Sequence, residues 1–162
     1  MTPTTTLKTT DQLLELQLRT ALTMEADSLA ALDLLAQSAV SKDIKQMFKH
    51  HSDETKQQVE NLHAVFKELG LTVRTSPSPS TKGIGRQAKS IIEKTDRKLR
   101  DRVVLSAALG NEHYEISAYE SLLIPVRAMG VADVQKLLQE NLEQEQHTSE
   151  ELKATLEKLA AA

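Results

Sequence analysis

Four helical stripes of this chain carry an acid where their apolar period calls for leucine or alanine. In the series Leu18, Ala21, Leu22, Glu25, Leu29, Leu32 the fourth member is a glutamate. In Ile44, Met47, Phe48, His51, Glu54, Gln58, Leu62 three polar residues fall in line. Val104, Ala108, Glu112, Glu115, Tyr119, Leu122 repeats the pattern, as does Leu138, Leu142, Glu145, Ser149, Leu152. Spacings of three and four residues put side chains on one face of a helix, so each stripe sends at least one carboxylate inward. Buried carboxylates at one level cannot all ionise without a positive partner. The chemistry this predicts is cation binding by oxygen ligands with an imidazole, the donor set of two divalent iron or manganese ions, with zinc as a substitute. The competing reading keeps the same acids protonated or hydrogen-bonded to Gln58, Tyr119 and Lys or Arg partners.

Height decides whether these groups can meet. Counted from the turn near Val40, Glu25 is about 15 residues away and Glu54 about 14, or about 21 to 22 Å at 1.5 Å per residue. Glu112 lies about 14 residues after Lys98, and Glu145 about 14 before the last apolar position of its helix. All four converge near mid-height if the second pair of helices starts at the same end as that turn. Glu25, Glu54, Glu112 and Glu145 are therefore the expected principal ligands, with His51 and Glu115 completing the set. His113 lies about 100° from Glu112 and is expected to orient a neighbour; His50, His63 and His147 fall on the surface.

The elements that must position these groups are legible in the 162 residues. The 24 Leu and 17 Ala, with five Gly, four Pro and 2% aromatics, favour helix over sheet. Periodicity predicts helices over about 11–39, 42–70, 98–129 and 132–159, the second opened by Ser41 as N-cap and the third interrupted near Pro125 and closed by Gly130. Tight turns make the first two and the last two antiparallel hairpins. Between them, about 71–97 reads as a long crossover containing a short helix near 86–94. Two hairpins joined by one long crossover predict an all-α, ferritin-like four-helix bundle in a single domain over 11–162, preceded by a disordered tail at 1–10. Gly110, inside the third long helix, is expected to permit close helix approach beside the centre.

Composition also excludes. The chain has no cysteine, which removes disulfides, thiolate metal sites and thiol nucleophiles. A net charge of -3 argues against a nucleic-acid partner. No apolar run is long enough for a membrane span, and Met1 to Thr10 has no signal-peptide character, so a cytoplasmic protein is expected. The stretch Lys82 to Arg102 stands apart, with eight basic and three acidic residues.

Di-iron bundles of this type take one Glu from each of two helices and Glu-x-x-His from each of the other two. Here the order is reversed in His51-x-x-Glu54, and Glu112-x-x-Glu115 has no second imidazole. The run His51-Ser-Asp-Glu54-Thr55 with Gln58, the run Asn111-Glu112-His113-Tyr114-Glu115-Ile116 ten residues after Asp101, Tyr119, and Leu142-Glu-Gln-Glu145 together resemble the YciE/YciF-like family of bacterial ferritin-like proteins. The resemblance covers about Leu13 to Leu159. It implies a ferritin-like bundle, a di-metal centre and an association with stress responses, without an established reaction. Ser149 stands where relatives are expected to carry an acid, and Lys56 where some carry His. The expected function is di-metal binding, with reduced metal reacting with O2 or peroxide. The alternative is a stress-associated bundle without a functional metal, acting through oligomerisation or protein partners. A homodimer fits either.

Overall fold

The computed structural model describes residues 6–162, in which the chain folds as an all-α bundle. The first five residues of the expected N-terminal tail lie outside that range. Helix α1 spans Thr10–Ser38, α2 Lys42–Glu68, α3 Pro79–Glu93, α4 Arg100–Met129 and α5 Ala132–Ala161, with one 3-10 turn at Arg97–Leu99 before α4. Side chains of Thr9 and Ser41 accept from the N–H groups of Gln12 and Ile44 and so cap α1 and α2. Gly70 and Gly130, at φ 65° and 71°, occupy the left-handed region that ends α2 and α4.

In the bundle α1 packs on α2 and α4, and α5 packs on α4 and α2. The connection between the hairpins climbs the outside. Ser76 donates its N–H to the Arg19 carbonyl, and Thr81 and Lys82 reach Asp27 at 2.7 and 3.1 Å, so the crossover joins α1 low down. From there α3 rises along α1 and α4. At the top, the Asp101 carboxylate accepts the N–H of Val40 at 2.6 Å and of Ser41 at 3.0 Å. The start of the second hairpin is thereby tied to the tip of the first, the condition on which the height argument rests.

Three local expectations need correction. Helix α3 begins at Pro79, well before the expected residue 86, because a proline at the first helical position gives up an N–H that has no intrahelical partner there. Pro125 does not interrupt α4, which runs on to Met129. The missing N–H forgoes one bond close to the helix end. Gly110 makes no close approach: a Cβ built there meets nothing within 4 Å. It faces the outer side of α4 toward α3 and lines a groove between the two.

Candidate metal centre

Two apolar cores are separated by a polar band. The lower core takes Leu14 to Met24 from α1, Leu62 to Phe66 from α2, Tyr119 to Val126 from α4 and Val134 to Leu142 from α5. The upper core takes Leu32 to Ala39, Ile44 and Phe48, Val104 to Ala108, and Leu152. Helices α1, α2, α4 and α5 cross between them through buried polar residues: Glu25 and Ser28; His51, Thr55, Gln58 and Asn61; Asn111, Glu112 and Glu115; Asn141, Glu145, Thr148 and Ser149.

Glu25, Glu115 and Glu145 form the heart of the band, each offering a carboxylate oxygen within 4.8 Å of the other two. Glu112 hydrogen-bonds Glu145 from one turn before Glu115. All four are buried. Glu54 is more open, its side chain 21% exposed and 3.5 Å from the surface imidazole of His50, yet close enough that its charge acts on Glu112 and Glu145. His51 is buried on the same face of α2 but turns its Nε2 to Glu151 on α5 at 3.0 Å, outside the three-acid group. His50 and His147 are exposed and His63 is half-buried.

Supporting hydrogen bonds fix these groups. The Tyr119 hydroxyl donates to Glu25, and Asn141 donates to the Tyr119 oxygen at 3.0 Å and to the Gln58 carbonyl at 3.2 Å. Asn61 in turn donates to Asn141 at 2.8 Å. Ser28 and Asn111, bonded to each other at 3.2 Å, both hydrogen-bond to Glu115. Asn61, Asn141 and Glu151 were not anticipated from the sequence, and Asn111 entered only as part of the run that carries the resemblance, without a role. Asn141 was accessible to sequence reading, since it sits four residues before Glu145 on the same helical face; the His51 to Glu151 pairing was not, because it depends on how two helices are rotated against each other.

Electrostatics follow from burial. Desolvation pushes the Glu25 carboxyl up to about 8, against the opposing hydrogen bond from Tyr119. Burial, then the neighbouring acids, hold Glu112, Glu115 and Glu145 well above the usual carboxylate range. Burial first, and then the charges of Glu25 and Glu145, raise the Tyr119 phenol, which keeps it a donor. Among the described residues, the charged groups that shift Glu112, Glu115 and Glu145 are other carboxyls.

The residues present fit a hard or borderline divalent cation. Glu25 Oε2, Glu112 Oε2, Glu115 Oε1 and Glu145 Oε1 are buried acceptors with no hydrogen-bond partner among the described residues, and so is His51 Nδ1. Leaving one such group unpaired costs about 1–3 kcal/mol, and more if it is charged. Four inward oxygens from three helices with an imidazole at the margin are the ligand types of iron and manganese.

Residues 9–162 match the family model described as a domain of unknown function, DUF892. Protein YciF of Escherichia coli K12 is 32% identical over 120 residues, covering 73% of this chain and 72% of that one. The crystal structure of the E. coli stress protein YciF superposes with a TM-score of 0.91 at 27% identity, over 96% of this chain and 99% of the other. YcfI from Rhodopseudomonas palustris gives 0.87 at 28% identity, over 90% and 94%. Fold, sequence and the acidic stripes on which the resemblance rests agree, and the chain belongs to the DUF892 family as a YciF-like member.

Proposed function

We propose that this chain is a ferritin-like di-metal carboxylate protein that binds two iron or manganese ions, zinc being a substitute. The observation that carries the reading is the set of four buried carboxyls with unpartnered oxygens, where, among the described residues, the charged groups that shift Glu112, Glu115 and Glu145 are other carboxyls. Glu25, Glu112, Glu115 and Glu145 would hold the ions, with Glu54 and His51 at the more open edge. When bound, the metal would supply one-electron redox chemistry toward O2 or peroxide.

The chain's own residues define the rest. Tyr119 and Asn141 hold Glu25 in one orientation, and Ser28 with Asn111 does the same for Glu115. Because burial raises these carboxyls, Glu25 to about 8, their protonated form is favoured without a cation, and metal uptake displaces protons to solvent. The apolar cores above and below limit water at the centre. No helix of the described residues is long and apolar enough to cross a membrane. On this reading the chain acts in the cytoplasm as a homodimer, and the description of its E. coli relative as a stress protein supports a role under stress.

One observation favours a second reading, a bundle that works through oligomerisation or a protein partner without metal: the Glu112–Glu145 and Tyr119–Glu25 hydrogen bonds let a protonated cluster persist. Metal analysis after anaerobic loading with Fe(II) or Mn(II) separates the two. The proposal expects close to two ions per chain, lost in Glu115→Ala. Less than a few tenths of an ion per chain sinks it.

A further inference from the structure

The two nitrogens of one buried imidazole on α2 stand in different surroundings. His51 lies where the upper core gives way to the polar band, one turn after the fully buried Phe48 and one turn before Glu54. Its Nε2 meets a carboxylate oxygen of Glu151 on α5 at 3.0 Å, and its Nδ1 is buried with no hydrogen-bond partner among the described residues. Glu151 is the more open of the pair, its side chain 42% exposed. A carboxylate oxygen accepts and does not donate, so the contact requires the ring proton to sit on Nε2. The lone pair of the neutral ring is then on Nδ1.

Height gives that lone pair its neighbourhood. Helix α2 descends from the Val40 turn, α5 climbs from Gly130, and the two pack together. His51 is therefore about one turn above Glu54, as Ser149 is about one turn above Glu145, and both stand at the same level of the α2/α5 seam. Ser149 commits its hydroxyl to the Gln146 carbonyl at 2.9 Å. The buried acceptor left without a partner at this level is the imidazole nitrogen. An imidazole that ligates a metal ordinarily donates its other N–H to a carboxylate, which fixes the tautomer and the ring orientation and makes the ligating nitrogen more basic. His51 and Glu151 already stand in that relation.

We infer that Glu151 is the positioning residue for His51: by accepting from Nε2–H it holds the ring so that Nδ1 is the nitrogen offered to a divalent cation on the α2/α5 side of the centre. The inference rests on the di-metal reading and adds to it a residue that itself touches no ion. A pairing that served packing alone would have no reason to spend the half-exposed carboxylate on one nitrogen and leave the buried one unpaired.

Long-range ¹H–¹⁵N correlation spectra of the full chain labelled with ¹⁵N-histidine test this, His51 being assigned by the loss of its signals in His51→Asn. In the metal-free protein His51 is expected as the Nε2–H tautomer, and in Glu151→Ala as a mixture of the two. On titration with Zn(II), a diamagnetic probe, the Nδ1 resonance should move to the position of a coordinated nitrogen while Nε2 keeps its proton. Calorimetry should show Zn(II) affinity lowered about tenfold in Glu151→Ala and largely restored in Glu151→Gln, whose amide oxygen still accepts. Because Glu151 is half-exposed, the metal-free Glu151→Ala protein should melt with the parent. An Nδ1–H tautomer in the metal-free parent, Zn(II) binding that leaves Nδ1 unmoved, or equal affinity in Glu151→Ala overturns the inference and leaves the di-metal reading standing. No binding of Zn(II), Mn(II) or Fe(II) by the parent overturns both.

Discussion

The two apolar cores and the acidic band between them share the four long helices, α3 adding Ile92 to the upper core, yet they obey opposite energetics. In the cores, Phe48, Leu62 and Phe66 are fully buried and each contributes favourable transfer and packing. In the band, Glu25 and Glu115 are buried to the same degree, and burial works against their charge. The bundle thus carries its stability in two layers and gives up part of it in the third. A fold kept for shape alone has no use for four acids that oppose it, whereas a cation reverses the sign of their contribution.

The largest effect expected from probing this contrast is in the cores. Phe48→Ala or Phe66→Ala should destabilise the protein by about 3–5 kcal/mol in denaturant titration, equally with and without metal. A loss that metal abolished would mean that the upper core is coupled to the centre. The next effect has the opposite sign. Glu115→Leu should stabilise the metal-free protein at neutral pH by about 1–4 kcal/mol while removing the rise in thermal midpoint on adding Mn(II). If it destabilises the metal-free bundle instead, the band is a satisfied structural network.

Both expectations show what was readable beforehand. Counting residues from the Val40 turn for Glu25 and Glu54, from Lys98 for Glu112 and back from the last apolar position of the final helix for Glu145 put the four at one height, because rise per residue is a property of the helix and not of its surroundings. Rotation is a property of packing. Glu115 therefore joins the tight three-acid group that Glu112 was expected to fill, and His51 turns to Glu151 although its period points inward. The start of α3 was obscured for another reason: Ser78-Pro79 reads as loop composition, and serine followed by proline is also how a helix begins.

The pH dependence distinguishes band from cores more finely. Glu25 has its carboxyl raised from about 4.5 to about 8, so the folded state holds a proton that the unfolded chain has released between those values. Stability of the metal-free protein should be greatest below about pH 4.5 as far as this group is concerned, and should fall as pH rises toward about 8. Each unit costs about 1.4 kcal/mol per proton held. Glu25→Gln should flatten that slope, and Phe48→Ala should lower the whole curve without changing it. An unchanged slope in Glu25→Gln, read from chemical denaturation across the range, would show that the shift belongs to its neighbours.

The smallest effect lies at the margin of the band. Ser149 is buried one turn after Glu145, and its hydroxyl returns to the Gln146 carbonyl of its own helix at 2.9 Å, leaving that side of the centre one acid poorer than the family pattern implies. Anaerobic Fe(II) titration should show two unequal steps, and Ser149→Asp should tighten the weaker one severalfold. One step of two equivalent ions, unaltered in the variant, would place Ser149 outside the coordination network.

The contact between Asp101 and the Val40–Ser41 turn sets a length standard for the whole molecule. The acids that meet at mid-height come from both hairpins, and this one carboxylate pegs the zero of one helical ruler to the zero of the other. Any change in the number of residues between peg and acid is consequently read at the centre. A single residue inserted between Asp101 and Glu112 would advance Glu112 and Glu115 by about 1.5 Å and turn them about 100° away from Glu25, with the peg intact. The exposed turn after Gly70, by contrast, can lengthen without moving any of them.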